Sequence, residues 1–465
     1  MLVMAVGGFL LLPLYTRTLS QADFGIYFIV RANTDLLLYI LYLGLPSAIT
    51  RLYFDYRPSG RQFEYLNSIL MFFLLYAALT GLVLALWGRH AWHLLSPTTP
   101  AFPYIWYSFA VAASGFLSAV GALVLRLEEK IKRFIIIQLA ASAMLAVASF
   151  VGLKILHLGL PGLFASLVVG YTPAALSLVY MIGRHLRPRI NRNQLWSSLT
   201  YGSPFVVTYI SFFFLNRFST LVLQHHVGLA KIAIFGLAQQ LATIITIASG
   251  AFGKALQPNV FGATAEKATE VLRRSTRLFI VLMFCVTAAL MCFSKELVAI
   301  VAPHRYDSSA VLMLVLVAGN FAQALCLISS MTLEYFKKPS YSAAVTMVGA
   351  VLSAGLSLFL IPRYSLVGAA AASSIGYLLP ALLGHLIAYR LSKLNHFSMI
   401  AFSLVAVCAV AVAVFFTDGL GLAWWAGFGL RAGILLAAVM AAGLAFAAAE
   451  QMKLRDITAQ FRKAR

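Results

Sequence analysis

Charge is what this sequence has least of. Only 11% of its 465 residues are Asp, Glu, Lys or Arg, where soluble domains carry about a quarter. Hydrophobic residues make up 62% and the mean hydropathy is +0.90, which excludes a soluble globular protein. Carboxylates are scarcer still, 14 against 35 Lys and Arg. The few cysteines, Cys285, Cys292, Cys326 and Cys408, lie in apolar runs at no metal-ligand spacing, so they imply no disulfide framework and read as small core residues. There is no GxxxxGK(S/T) stretch to cradle the phosphates of ATP. The close histidine pairs, His90/His93 and His225/His226, have no supporting Cys or carboxylate beside them. No metal site, cofactor or catalytic group is therefore expected, and no Ser/His/Asp grouping follows from spacing. Neither a charged leader nor a small-residue cleavage site precedes the first apolar run, so no removable signal is expected. That run, from Leu2 to Tyr15, is short for a span of about 20 residues.

What is there is a chain of apolar runs laid nearly end to end. They fall at 2–16, 24–48, 66–88, 102–125, 134–153, 160–182, 203–223, 231–252, 277–294, 309–331, 341–361, 366–390, 399–417 and 425–449. Each is near one bilayer thickness at a rise of about 1.5 Å per residue. The pattern predicts an all-α polytopic membrane protein of about 14 transmembrane helices. The even-numbered loops and the C-terminal tail hold 25 Lys and Arg and the odd-numbered loops 7. That asymmetry puts both termini in the cytoplasm. The basic excess is thus topological, and nucleic-acid binding is not expected. Trp87, Trp92, Trp106, Trp196, Trp424 and Trp425 sit at or near segment ends, as in interfacial belts. Pro46, Pro173 and Pro380 fall within spans, as hinges or as static bends. The longest polar stretch, from Gly183 to Tyr201, has the composition of an interfacial helix.

The chain also repeats itself. At an offset of 206, Leu127, Glu128 and Lys132 match Leu333, Glu334 and Lys338, while Gly162, Tyr171 and Arg184 match Gly368, Tyr377 and Arg390. At 208, Gly25–Tyr27 falls on Ala233–Phe235 and Tyr53 on Phe261. Six segments separate the partners, so the copies share orientation. Such parallel repeats are expected to hold substrate between the halves and to rock in alternating access. The division expected is a six-helix bundle over 1–183, an amphipathic cytoplasmic linker over 184–202, a second six-helix bundle over 203–392, and accessory helices 13 and 14 with a basic tail over 393–465.

RTLSQADFGIY followed by LGLPSAITRLYF resembles the opening of the bacterial polysaccharide flippases of the multidrug/oligosaccharidyl-lipid/polysaccharide superfamily. LNRFSTLVLQHHVGLAKIAIFGLAQQLATI looks like the start of that family's second half. LEYFKKPSYSAAVTMVGAVLS with IPRYSLVGAAAASSIGYLL is similar to its eleventh and twelfth helices. The resemblance covers the whole chain. It implies a non-enzymatic flippase of the bacterial inner membrane that moves undecaprenyl-pyrophosphate-linked oligosaccharide outward for O-antigen, capsule or exopolysaccharide synthesis. Glycosyltransferases and a glycan polymerase would be its partners. A multidrug exporter of the same superfamily is the alternative, and a membrane glycosyltransferase or polymerase a more distant one.

Three arginines lie inside spans: Arg31, Arg217 and Arg431. A charge at helix centre costs at least about 2.5–3.5 kcal/mol on insertion scales, so each needs a wet cavity or a partner. Helical rise puts Arg31 roughly 12 Å and Asp35 roughly 18 Å along segment 2, and Arg217 roughly 20 Å into segment 7 from the other side. Arg31 and Arg217 are thus expected at one level, where two planar donor forks suit a pyrophosphate. The plainer reading is that Arg31 only pairs with Asp35 four residues on. Asp35, the one carboxylate clearly inside a span, is either that partner or a proton or sodium coupling site. Asn33 and Asn216 suit sugar hydroxyls or helix–helix contacts. Arg17 and Arg51 suit phosphate guidance at the cavity mouths or headgroup anchoring. Arg431, in a GxxxG spacing, is expected to snorkel.

Overall fold

The computed structural model describes residues 7–183, 186–261, 265–336, 338–392, 397–420 and 426–444. Every regular element among them is helical: α1 (Leu12–Thr18), α2 (Gln21–Tyr42), α3 (Leu45–Tyr56), α4 (Gln62–Leu95), α5 (Tyr104–Leu127), α6 (Ile131–Phe150), α7 (Leu160–Ile182), α8 (Arg192–Asn216), α9 (Phe218–Leu223), α10 (Leu229–Phe261), α11 (Ala265–Cys292), α12 (Ser294–Val301), α13 (Ser309–Tyr335), α14 (Pro339–Ser392) and α15 (Phe397–Gly419), then α16 (Ala426–Leu444). Among the described residues, twelve helical stretches are long and apolar enough to cross a membrane. One of these, Gln21–Tyr56, joins α2 and α3, and another holds two expected segments in series, because α14 breaks at Ser365 (φ 53, ψ −125). The twelve therefore cover the second to fourteenth expected segments. The first is described from residue 7, and Trp424, Trp425, Arg184 and the basic tail from residue 445 lie outside the described residues.

Local chemistry sets several helix ends. Ser20 caps α2 by accepting from the Asp23 amide at 3.0 Å, with Asp23 in the first turn where the helix dipole favours it. The expected span 24–48 is interrupted: Leu43 and Gly44 both take left-handed conformations, at φ 43 and 75. They end α2, and Pro46 then sits in the first turn of α3. It starts a helix rather than kinking one, since its fixed φ and missing N–H suit that position. Pro173 and Pro380 do lie inside helices. The polar stretch expected along the membrane surface becomes, from Arg192 on, the opening turns of α8. Asn191 caps that helix, accepting from the amides of Asn193 and Gln194.

The described residues form two compact units. The first holds 1–236 with 301–303 and 357–369; the second holds 237–300, 304–356 and 370 onward. Segment 203–223, assigned by the sequence pattern to the second bundle, packs within the first unit, where α8 lies on α2 and α3. The core of that unit joins Leu41, Leu45, Tyr53, Tyr65, Ile69, Phe73, Phe116 and Val124, with the Phe73 and Phe116 rings stacked at 3.9 Å. α5 approaches α7 so closely at Gly121 that a Cβ there would meet the Ala174 carbonyl. Leu75, Leu79, Leu82 and Leu86 of α4 instead face outward. Such apolar exposure suits a lipid solvent, where the backbone is satisfied within the helix. In the second unit α11 packs on α13 and α15.

Both halves of the expected repeat close a helix in the same way. The Lys130 amide donates to the Leu125 carbonyl and the Lys338 amide to the Leu333 carbonyl, each across five residues. Trp92 departs from the interfacial expectation. It is 3% exposed, and its indole N–H donates to the Thr99 carbonyl at 3.1 Å. Trp196, by contrast, is 73% exposed.

Candidate functional site

One face of α2 carries Tyr27, Arg31, Asp35 and Tyr39 at four-residue steps, so all four align in one row. Asp35 is the centre of the row. Its Oδ1 lies 3.4 Å from Arg31 Nε, and its Oδ2 accepts from Arg217 Nε at 2.6 Å. Arg217 reaches it from the junction of α8 and α9, where φ −126 breaks the helix and turns the residue out of the α8 register. Arg31 and Arg217, which the sequence pattern expects at one level, both contact a single carboxylate. The plainer reading, that Arg31 pairs with Asp35, describes the same cluster but only half of it.

Two guanidiniums against one carboxylate leave a formal excess of one positive charge. The Asp35 side chain is 12% exposed and those of Arg31 and Arg217 are 26% and 19%, so the acid is the more enclosed member. Removing ions from water is costly unless they are paired and hydrogen-bonded. Here the acid neutralises part of the charge while the donor forks keep accessible surface. Tyr171 of α7 also stands near Arg31.

Tyrosines continue the site on both sides of the charges. Tyr27 packs beside Phe164 of α7, with ring centroids 6.1 Å apart. Farther along α2, Tyr39 stacks on Tyr209 at 5.8 Å and 8°, and Tyr42 meets Tyr209 edge-on. The Tyr209 hydroxyl is fixed by Ser47 Oγ at 2.9 Å. The sequence pattern marks none of these rings as a site residue. Tyr27 and Tyr39 were readable, being four residues from Arg31 and Asp35 respectively. Tyr171 and Tyr209 come from other helices, and only the fold brings them in.

The other expected site residues make their recorded contacts outside this cluster. Asn33 is on the far side of α2, and its amide donates to Ile29 O and to Ser96 Oγ at 2.7 Å. One hydrogen thus serves its own helix and the other ties α2 to the residue that ends α4. Asn216 donates to the Phe212 carbonyl one turn back. Arg51 is exposed and pairs with Asp55 at 2.8 Å, and Arg17 is exposed at the end of α1. Arg431 corrects an expectation. Far from snorkelling, it is 4% exposed and its Nη2 donates to Glu296 Oε1 at 2.6 Å. Glu296, near the start of α12, is thus a second enclosed carboxylate, which hydropathy alone did not reveal.

With this geometry in hand, the comparisons with known proteins are specific. The polysaccharide biosynthesis protein family matches residues 1–261. No curated protein matches the chain. Among solved structures, the lipid II flippase MurJ in an inward closed conformation aligns with a TM-score of 0.70 at 12% identity, covering 97% of each chain. A multidrug resistance MATE family transporter of the MOP superfamily, inward-facing, aligns at 0.64 and 18% identity, covering 84% of this chain and 94% of that one. A Vibrio cholerae MATE transporter aligns at 0.60 and 14%, over 85% and 94%. At these identities the likeness establishes the fold, that of membrane transporters with many apolar helices. The family match spans more than half the sequence, and so the chain belongs to the polysaccharide biosynthesis protein family.

Proposed function

We propose that this protein is a flippase that carries a polyprenyl-pyrophosphate-linked oligosaccharide across the bacterial inner membrane by alternating access. The observation that carries the reading is the Arg31–Asp35–Arg217 cluster, two arginine forks on one acid within membrane-spanning helices. Planar guanidiniums bind phosphate oxygens bidentately, and in an enclosed site those hydrogen bonds are charge-assisted. The pyrophosphate takes the place of Asp35 as the anion shared by Arg31 and Arg217. The first sugars lie along Tyr39, Tyr42 and Tyr209, while the polyprenyl tail stays in lipid. Asp35 then closes on the arginines again once the substrate has left, so the empty site never holds two unpaired cations.

Both termini are cytoplasmic in this reading, and the two six-helix bundles expected from the repeat, with the accessory pair, are the moving parts. Glycosyltransferases supply the substrate, a glycan polymerase consumes it, and a proton or sodium gradient acts through Asp35. A cation exporter would need an acid-rich cavity, and the excess of arginine over carboxylate here speaks against it. The test is a reconstituted flipping assay with a pyrophosphate-linked glycolipid. Arg31→Ala and Arg217→Ala are each expected to lower turnover at least tenfold, with Arg→Lys at either position intermediate. Wild-type turnover in both alanine variants would overturn the proposal.

A further inference from the structure

A second basic site stands away from the cluster, on the short strap that leads into α8. Residues 187–191, together with Glu64, Asn67, Ser68 and Gln194, line a half-open cavity of about 610 Å³. The strap is pinned from below. Asn67 donates to the carbonyls of Arg187 and Arg189 and accepts from the Arg187 amide, at 2.9, 3.3 and 3.1 Å. Ser68 Oγ accepts from the Asn191 amide at 3.2 Å and bonds to Gln194. Asn67, Ser68 and Gln194 are each no more than 4% exposed. This buried polar floor uses its hydrogen bonds to fix the path of the strap.

The floor holds two exposed cations over a cavity. Arg187 and Arg189 are both exposed, and among the described residues neither makes an ion pair. The one carboxylate in the lining, Glu64, is already paired with Arg61 at 3.2 Å. Two guanidiniums are therefore left for an anion from outside. Depth identifies its source. The cavity lies at the ends of two membrane-spanning helices, α4 from Gln62 and α8 from Arg192. Trp196, one turn into α8, is 73% exposed, as befits a ring at the headgroup level.

We propose that this cavity binds the phosphate head group of an anionic membrane lipid through Arg187 and Arg189, on the rigid strap that Asn67 and Ser68 hold. The lipid ties the start of α8 to the membrane surface at that point. The proposal does not depend on what the protein transports.

The full-length protein in detergent is titrated with short-chain phosphatidylglycerol, with short-chain phosphatidylcholine and with inorganic pyrophosphate, and thermal unfolding is followed. A ligand that binds only the folded state raises the midpoint with its concentration. Phosphatidylglycerol is expected to raise it, phosphatidylcholine not, and pyrophosphate much less than phosphatidylglycerol. The R187Q/R189Q variant, changed only at exposed positions, is expected to keep the wild-type midpoint without lipid and to lose most of the phosphatidylglycerol shift. Arg217→Ala is expected to keep that shift, which separates this site from the transport site. An undiminished shift in R187Q/R189Q overturns the proposal. So does a pyrophosphate shift as large as that of phosphatidylglycerol and abolished by the same variant, since the ligand would then be a free anion.

Discussion

Arg217 Nε donates to Asp35 Oδ2 at 2.6 Å across 182 positions of sequence. Arg31, four residues from the same acid, stands 3.4 Å from its other oxygen. A single carboxylate thus organises two arginines from different helices. Its removal is expected to harm more than the loss of either arginine, because it would leave two enclosed cations without their shared counter-charge.

Asp35→Asn is accordingly expected to destabilise the protein by roughly 3–5 kcal/mol. The double variant Asp35→Asn/Arg217→Gln should recover part of that loss, since residues in contact couple by about 0.5–3 kcal/mol. Reversible unfolding of the four members of the cycle measures the coupling; strict additivity would show that the two side chains act independently. The same Asp35→Asn protein, reconstituted under imposed pH and sodium gradients, tests ion coupling. Unchanged gradient dependence would assign Asp35 to charge neutralisation alone.

The pair between Glu296 and Arg431 makes a contrasting prediction. Both side chains are enclosed, at 15% and 5% exposure. Arg431→Ala should cost roughly 3–5 kcal/mol by stranding Glu296, whereas Glu296→Leu/Arg431→Met should be near neutral, as apolar replacement of a buried pair often is. Thermal unfolding of the two variants decides it; equal losses would mean that packing volume, not charge, is what the pair supplies.

Gly44 takes a positive φ of 75, and a Cβ there would run into the Gly202 backbone of α8. Gly44→Ala is expected to destabilise by roughly 1–3 kcal/mol through backbone strain and that clash together. Gly60, also at positive φ but with open space around it, is the control: its alanine variant should lose less. Equal losses at the two positions would show that the contact with α8 is unimportant.

Glu128 gives a pH dependence. Burial raises its carboxyl, but the hydrogen bonds from Tyr53 and Lys130 and the charges of Lys130 and Arg57 outweigh that and hold it below its ordinary value of 4.5. A group whose folded value is depressed stabilises above its unfolded value, and that contribution is lost as pH falls through the folded one. Stability should therefore drop below about pH 4.5, and Glu128→Gln should flatten this part of the curve while lowering stability at neutral pH. Parallel curves for wild type and variant between pH 6 and 3 would rule the carboxyl out as the source.

Much of this protein was determined by the sequence. The apolar runs marked where helices cross, because a bilayer accepts only segments whose backbone is satisfied internally and whose side chains are apolar over about 20 residues. Arg31 and Asp35 stood out by the same rule, as charges inside such runs, and their four-residue spacing put them on one helix face. Hydropathy averages over a window, so it passed over the breaks at Leu43–Gly44 and Arg217, which depend on single backbone conformations. It also missed Glu296, at the edge of a span. Only the tertiary structure decided that Arg217 and Arg31 share one acid, that Tyr171 and Tyr209 join them, and that Arg431 is buried on Glu296. These are contacts between helices far apart in sequence. Periodicity fixes which face of a helix is polar, but only packing chooses what that face meets.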